Sequence, residues 1–359
     1  MKIELLIGAE AFWDRLNEDL QRAQRRAWVQ TFTFEADRAG TRLARAFERS
    51  GARDRRLLID SYSLLYHSDR VIPGPAWFDR SLRSEVFRTH RWVRRLRDRG
   101  TSVRFGNPLG RGLTGVLRRS HKKVALFDDG IAYLGGINFS DHNFAWHDMM
   151  LRVESDELAH VLGLDFAGSW SGRPVAWDAE VDGLRVISAS GHRNRHAFAP
   201  VVDAIRSAES SIDVVSAYVS HPFTRYLADA ASRGVHVRVL TPAENNKSNL
   251  ARHIIERGQR HGFEVLKYVG GMSHMKAMLI DGELLVAGSS NFDFMSLTLL
   301  EEHIVMTRQA QLVADFREKV WVPELARASR VLNGSSLGTR LGDIAVRAGA
   351  LIAAGLATN

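Results

Sequence analysis

The residues best suited to chemistry occur twice in this chain, at one fixed spacing. Both copies read H-x-K-x4-D-x6-G-[GS]-x-N, the first over residues 121–138 and the second over residues 274–291. All matched positions differ by the same 153 residues, which indicates an internal duplication. The matched positions are His121 and His274, Lys123 and Lys276, Asp128 and Asp281, Gly135 and Gly288, Gly136 and Ser289, and Asn138 and Asn291.

These side chains suit the cleavage or transfer of a phosphodiester. Lysine ammonium and asparagine amide groups donate to phosphoryl oxygens, and such preorganised donors stabilise the charge of the transition state. A neutral imidazole can attack phosphorus, and a protonated imidazole can give its proton to the leaving alkoxide. Histidine titrates near pH ~6.5, so both forms are available near neutrality. The symmetry of the repeat leaves open which histidine attacks.

The double motif resembles that of the phospholipase D superfamily, in which each of two halves gives one such motif to a shared active site. The flanking residues, 119–123 and 288–293, are similar to those of bacterial cardiolipin synthases of the type without N-terminal membrane spans. This resemblance implies a covalent phosphohistidine intermediate, with His121 as the nucleophile and His274 as the general acid. It implies neither a metal nor another cofactor.

The resemblance also implies an acidic residue that orients a histidine. Glu302 follows the second motif at the spacing found in the superfamily. In the first half, Asp148 is the best candidate for this role. Asp141 and Glu301 are the nearby alternatives.

Period-two alternation places each histidine and its lysine on the same face of a strand. His121 and Lys123 then point into a cleft while Asp128 points away from it, and the second copy repeats this arrangement. We therefore predict that Asp128 and Asp281 support the fold and do not act as bases. The other residues predicted to support the site are Asp148, Gly135, Gly136, Gly288 and Ser289.

Each motif is predicted to form a β-hairpin, because residues 128–130 and 281–282 have typical turn sequences. Elsewhere strands and helices follow in β-α-β order, which favours a parallel sheet with helices on its faces. The predicted fold class is α/β, with two phospholipase D-like halves. Each half is a mixed, mostly parallel sheet flanked by helices, and the halves share one active site between them. The predicted halves are residues 1–178 and 179–330, followed by a C-terminal tail at 331–359.

The composition fits a two-domain enzyme with an anionic partner. The chain has 359 residues, 45% of them hydrophobic, no cysteine and a net charge of +8. The length allows two domains, the lack of cysteine excludes disulfides, and the positive charge suits lipid head groups or nucleic acid. We predict no signal peptide and no transmembrane helix. No histidine spacing matches a zinc pattern, so no metal is predicted.

These observations lead to the hypothesis of a phosphatidyltransferase of the cardiolipin synthase type, in the cytoplasm at the inner face of the cell membrane. Its partner would be an anionic phospholipid such as phosphatidylglycerol, and no protein partner is implied. The alternatives are a hydrolytic phospholipase D that makes phosphatidic acid, and a nuclease of the same superfamily that acts on nucleic acid. Three arginines near the first motif are candidates for head-group contacts: Arg111, Arg118 and Arg119.

Overall fold

The computed structural model describes residues 1–72, 75–109 and 116–330, and the chain divides into two compact units. The first unit is Met1–Val175, and the second begins at Ala176. The predicted tail, 331–359, lies outside the described residues, and so does Arg111. Within the described part of the chain, no helix is both long and apolar enough to cross a membrane.

The first unit contains a seven-stranded sheet with helices around it and a separate two-stranded ribbon. The elements are β1 (Lys2–Ile7), α1 (Ala9–Arg22), β2 (Arg26–Thr31), α2 (Arg38–Arg49), β3 (Asp54–Asp60), β4 (Tyr66–His67), β5 (Arg70–Val71), α3 (Arg80–Asp98), β6 (Ser102–Gly106), β7 (Val124–Phe127), β8 (Ile131–Gly135), α4 (Asp141–Phe144), β9 (Met149–Glu154) and α5 (Asp156–Trp170). Short 3₁₀ turns occur at Ser61–Leu64 and Pro75–Phe78.

A nine-stranded sheet forms the second unit. Its elements are β10 (Trp177–Val181), β11 (Leu184–Ser190), α6 (Asn194–Ala197), α7 (Ala199–Ser207), β12 (Ser211–Ser216), α8 (Phe223–Ser232), β13 (His236–Pro242), α9 (Ser248–His261), β14 (Glu264–Tyr268), β15 (Lys276–Ile280), β16 (Leu284–Gly288), α10 (Phe294–Thr298), β17 (Glu301–Thr307), α11 (Ala310–Phe316), α12 (Val322–Ala326) and β18 (Ala328–Arg330).

The two sheets contain the same pattern of seven strands. The order β1-β9-β8-β7-β2-β3-β6 in the first unit matches the order β11-β17-β16-β15-β12-β13-β14 in the second. Strands β10 and β18 extend the second sheet by one strand at each edge. The duplication seen in the motifs therefore extends to the whole sheet, and the α/β class with two similar halves is confirmed.

The sheets are mixed, as predicted, but the predicted majority of parallel pairs is wrong. Among the strands described in these two sheets, parallel pairing joins β2 to β3, β3 to β6, β12 to β13 and β13 to β14. The remaining pairs are antiparallel, including both motif hairpins. The β-α-β segments do give parallel pairs. In each motif, by contrast, the chain reverses direction at the hairpin turn and again before the next strand. These strands therefore pair antiparallel.

Helix α1 shows how the sequence builds the core beneath the first motif. Its apolar residues recur every three or four positions, which places them on one face. Phe12, Leu16 and Leu20 are buried in a cluster that also contains Val29 of β2 and Phe127 of β7. The hairpin of the first motif is therefore held against the core of its own unit. The second unit has a separate core that includes Met278 of β15 and Val286 of β16.

Candidate active site

Each motif forms the predicted hairpin, with its histidine just before the first strand. Strand β7 begins at Val124 and strand β15 at Lys276, so His121 and His274 both precede regular strand. The prediction that the histidines lie within the strands is wrong. In the first unit the reason is that the ladder between β2 and β7 ends at the pair Gln30–Val124.

Asp128 and Asp281 anchor the hairpin turns to the backbone of their own units. The Asp128 carboxylate accepts hydrogen bonds from the N–H groups of residues 24–26, and Asp281 accepts from those of residues 209–211. Burial alone would raise the pKa of each carboxyl, but these donors outweigh it and lower the pKa. An ionised carboxylate that holds three N–H groups positions the hairpin.

His121 lies against an aromatic stack at the edge of the first motif. The residue is 7% exposed and contacts Phe32 edge-on, with ring centroids 5.1 Å apart. Phe32 in turn stacks on Tyr62 at 4.9 Å. Lys123 Nζ donates to the carbonyl oxygen of His121 at 2.6 Å and lies 5.5 Å from the centroid of the Phe32 ring. The first motif thus combines an imidazole, a buried cation and an apolar wall.

The second motif brings its lysine directly to its histidine. Lys276 Nζ lies 2.8 Å from His274 Nδ1 and also donates to the carbonyl oxygen of His274. An ammonium has only donors, so this contact is a hydrogen bond only when Nδ1 carries no proton. Tyr218 contacts the His274 ring edge-on, with centroids 5.8 Å apart. A second cation, Lys247 Nζ, lies 4.1 Å from the centroid of Tyr218.

The sheet register makes Asp148 the counterpart of Glu302. The equivalent cross-strand pairs in the two units are Gly135–Met150 and Gly288–Ile304. Asp148 and Glu302 each lie two residues before the second member of the pair. Their offset is 154 residues, where that of the motifs is 153, because the second copy is one residue longer between the motif and the next strand.

The two alternative acids have other positions. Asp141 accepts a hydrogen bond from the N–H of Ala39 at 2.8 Å, at the start of α2. Glu301 is adjacent to Glu302 in β17, so its side chain emerges on the opposite face of the strand. Among the acids considered, Asp148 and Glu302 are therefore the two that share one position in the fold.

The two units accommodate these carboxylates differently. Glu302 is fully buried and accepts hydrogen bonds from the hydroxyls of Ser289 at 2.5 Å and Ser296 at 2.8 Å. The counterpart of Ser289 is Gly136, where an added Cβ would lie 2.3 Å from Oδ1 of Asp148. The Asp148 carboxylate thus occupies the space that a serine side chain would need. Gly136 is required in the first motif for this close approach.

The motif asparagines also differ between the units. Asn138 donates to the side-chain oxygen of Asn143 at 2.8 Å. Asn291 is buried, and its Oδ1 has no hydrogen-bond partner among the residues described. Buried amide oxygens are normally satisfied, so this oxygen is a ready acceptor for a hydroxyl group.

Arg119 makes structural hydrogen bonds just before the first motif, and its predicted head-group contact stays a hypothesis. It is 4% exposed, and its guanidinium donates to Asp60 at 3.3 Å and to the carbonyl oxygen of Asn107 at 2.7 Å. These bonds fasten the segment before the first motif to the ends of β3 and β6. Arg118 is half-buried and keeps its predicted role as a hypothesis.

A buried ion pair behind the first motif went unrecognised in the sequence. Lys122 Nζ lies 2.8 Å from each carboxylate oxygen of Asp165 on α5, and both side chains are almost fully buried. The sequence signal was available, since Asp165 interrupts an otherwise apolar stretch of helix. Because Lys122 lies between His121 and Lys123, the sequence suggests a basic run and does not indicate a buried ion pair.

One cluster of carboxyl groups among the described residues has the spacing of a metal site. Glu35, Asp37 and Glu85 each offer an oxygen, and these oxygens lie within 4.8 Å of one another. Burial raises the pKa of Glu35 to about 9, helped by the nearby charges of Glu85 and Asp37. Glu35 is therefore a neutral acid near pH 7, and its proton reduces the negative charge of the cluster.

Replacing Glu35 with glutamine should flatten the pH dependence of stability. A carboxyl whose pKa is about 9 when folded and ~4.3 when unfolded holds a proton that unfolding releases. Its contribution to stability therefore falls as pH rises from about 4.3 to about 9. Glu35→Gln mimics the protonated acid, so the variant should lose less thermal stability than the wild type between pH 5 and pH 9, as followed by circular dichroism.

The matched control is Glu318→Gln, which changes an exposed glutamate and should leave the pH profile as it is. A Glu35→Gln profile with the wild-type slope would show that Glu35 is ionised in the folded protein.

The family described as "Cardiolipin synthase, PLD-like domain" matches this chain at residues 16–170 and 201–321. Each matched segment contains one complete motif. Cardiolipin synthase A from Yersinia pseudotuberculosis and from Yersinia pestis is 28% identical over 209 residues, a match that covers 50% of this chain and 43% of each relative. The match therefore spans less than half the length of these curated relatives.

Two solved structures resemble this one over most of its length. Phosphatidylserine synthase from Haemophilus influenzae has a TM-score of 0.71 at 15% identity, covering 98% of this chain and 93% of that protein. Polyphosphate kinase from Porphyromonas gingivalis has a TM-score of 0.62 at 13% identity, covering 92% of this chain and 48% of that protein. At such identities the likeness shows the fold alone.

Proposed function

The chain belongs to the cardiolipin synthase, phospholipase D-like family, and on that premise we propose that it is a phosphatidyltransferase acting on anionic phospholipid. The substrate would be phosphatidylglycerol at a membrane surface. The matched relatives are named cardiolipin synthases, and this proposal carries their named activity to a chain that aligns with less than half of their length.

The observation that carries the proposal is the presence of two complete motifs on two equivalent hairpins. Each hairpin holds a buried histidine, at 7% exposure for His121 and 6% for His274, with a buried lysine two residues later. A protein that only bound lipid would need neither of these two buried imidazoles. The pairing of each motif with an acid at one position, Asp148 or Glu302, supports the same reading.

In the proposed reaction the two motifs act on one phosphodiester. A nitrogen of His121 attacks phosphorus and forms an N–P bond while the P–O bond to the leaving alcohol breaks. His274 gives its proton to the departing alkoxide. The hydroxyl of a second alcohol then attacks the phosphohistidine, gives its proton to His274 and releases His121. Lys123 and Lys276 stabilise the charge on the phosphoryl oxygens.

The family resemblance assigns these roles, and each role needs its own protonation state. His274 must begin as the imidazolium, which has a proton for the departing alkoxide. His121 must begin as the neutral ring, whose unprotonated nitrogen attacks phosphorus.

Water exclusion decides whether the intermediate is resolved by an alcohol or by water. The stack of Phe32 and Tyr62 beside His121 supports transfer, because it limits the approach of water from that side. This aromatic stack favours transferase chemistry over hydrolysis.

Incubating the purified protein with phosphatidylglycerol vesicles should give cardiolipin and free glycerol, identified by mass spectrometry of the lipid products. Phosphatidic acid as the sole lipid product would contradict the proposal and make the protein a hydrolytic phospholipase D. No lipid product, together with cleavage of a DNA control, would move the substrate to nucleic acid.

A further inference from the structure

The exposed aromatic side chains of the first unit are concentrated in one short region. Phe78 is 82% exposed, Phe87 59% and Trp77 38%. The rings of Trp77 and Phe87 are in contact, with centroids 6.2 Å apart, so the 3₁₀ turn and helix α3 form one surface. Val71, at 54% exposed, precedes this turn in the sequence. Soluble proteins rarely leave such a group of large apolar side chains open to water without a binding role.

The same helix carries a row of arginines beside Phe87. On α3, positions three, four or seven residues apart lie on one face. The residues on the face of Phe87 are Arg80, Arg83, Arg91 and Arg94, all of them at least partly exposed. The opposite face is buried through Leu82, Val86, Val93 and Leu96. The outward face of α3 is therefore cationic with an aromatic centre.

We propose that Trp77, Phe78, Phe87 and the arginine row of α3 form a surface that docks on an anionic lipid bilayer. Aromatic rings that protrude from the surface insert at the boundary between head groups and acyl chains, and arginines beside them attract anionic head groups. An anionic bilayer suits both the aromatic side chains and the arginines, whereas a neutral protein surface would leave the arginines without anionic partners. The choice of lipid rests on the proposed function, and the surface itself is separate from both motifs in the sequence.

The charge pattern of the helix supports an anionic partner. Between Val86 and Arg97 the helix contains no acidic residue. Arg95 lies off this row and is paired with Glu48 at 2.5 Å. Within the row, Arg83 donates to the carbonyl oxygen of Trp77, and Arg80, Arg91 and Arg94 are exposed. Arginines near an anionic membrane are attracted to its surface, and salt screens this attraction.

Cosedimentation with vesicles tests the surface directly. The full chain should bind phosphatidylcholine vesicles that contain phosphatidylglycerol, bind vesicles of phosphatidylcholine alone much less, and lose binding as salt rises. The double variant Phe78→Ser/Phe87→Ser should bind the phosphatidylglycerol vesicles at least about tenfold more weakly than the wild type. Arg91→Gln/Arg94→Gln should weaken binding and reduce its dependence on salt. Leu164→Ser is the matched control, since Leu164 is 63% exposed on α5, and it should bind like the wild type.

Activity assays separate this proposal from the proposed function. On a short-chain phosphatidylglycerol that stays monomeric, Phe78→Ser/Phe87→Ser should turn over like the wild type, whereas His121→Ala should bind vesicles normally without turnover. Wild-type vesicle binding that the aromatic and arginine variants leave unchanged would overturn the docking surface and leave the function standing. Equally, binding of single-stranded DNA that depends on these residues, without vesicle binding, would assign the surface to nucleic acid and overturn the proposal.

Discussion

His121→Ala should lower the turnover of phosphatidylglycerol by roughly 10⁴-fold or more, the scale seen when a covalent nucleophile is removed. No side chain remains to form the N–P bond, so the first bond-breaking step is lost. His121 is buried against Phe32, and alanine there leaves a small void without breaking the hairpin ladder that begins at Val124. The rate of cardiolipin formation, measured alongside circular dichroism, gives the loss of activity at equal folding.

His274→Ala should also lower turnover, by roughly 10²- to 10⁴-fold, the usual contribution of a general acid or base. The two variants are distinguished by a substrate whose leaving group needs no proton. With a p-nitrophenyl phosphodiester, His274→Ala should recover much of the release rate, because p-nitrophenolate departs as an anion. His121→Ala should recover none, since it still lacks the attacking nitrogen.

The matched control is His236→Ala, which removes an exposed histidine on β13 and should keep wild-type rates with both substrates. If the p-nitrophenyl substrate rescues His121→Ala and not His274→Ala, the roles are reversed. Near-normal turnover of phosphatidylglycerol by either variant would exclude a mechanism that needs both histidines.

The hairpins were predictable because their signals are local. A turn sequence such as residues 281–282 and alternating apolar residues on either side fix an antiparallel pair without help from distant residues. The β-α-β segments were equally readable. The prediction was wrong in extending parallel pairing to most of each sheet. The sequence shows which segments are strands more clearly than it shows which strands become neighbours.

The detailed contacts of the site could not be predicted from motif spacing, because they depend on how distant segments pair. The match of Asp148 with Glu302 needs the register of β8 with β9 and of β16 with β17, because the offset changes by one residue. The same register explains why Gly136 replaces serine, since the Asp148 carboxylate fills that space. The hydrogen bond from Arg119 to Asp60 could not be predicted either, because the two residues are 59 positions apart.

The ion pair between Lys122 and Asp165 is the clearest case of a long-range contact that decides stability. Lys122→Ala should reduce the free energy of unfolding by about 3–5 kcal/mol, because it leaves the Asp165 carboxylate buried without its partner. The two side chains are 0% and 1% exposed, so water cannot replace the ammonium. Urea denaturation followed by fluorescence measures the loss as a shift of the unfolding midpoint.

A second ion pair of the same residue types supplies the control. Lys319 and Asp315 lie 2.9 Å apart, at 52% and 20% exposure, so Lys319→Ala should cost no more than about 1 kcal/mol. The double variant Lys122→Met/Asp165→Leu should recover most of the stability lost in Lys122→Ala, since exchanging a buried pair for apolar side chains is often neutral or better. The second unit supports the choice of methionine, because Met275 fills the equivalent position and is fully buried. Equal losses in Lys122→Ala and Lys319→Ala would mean that the buried pair contributes no more than a surface one, and that the hairpin of the first motif is held by its apolar core alone.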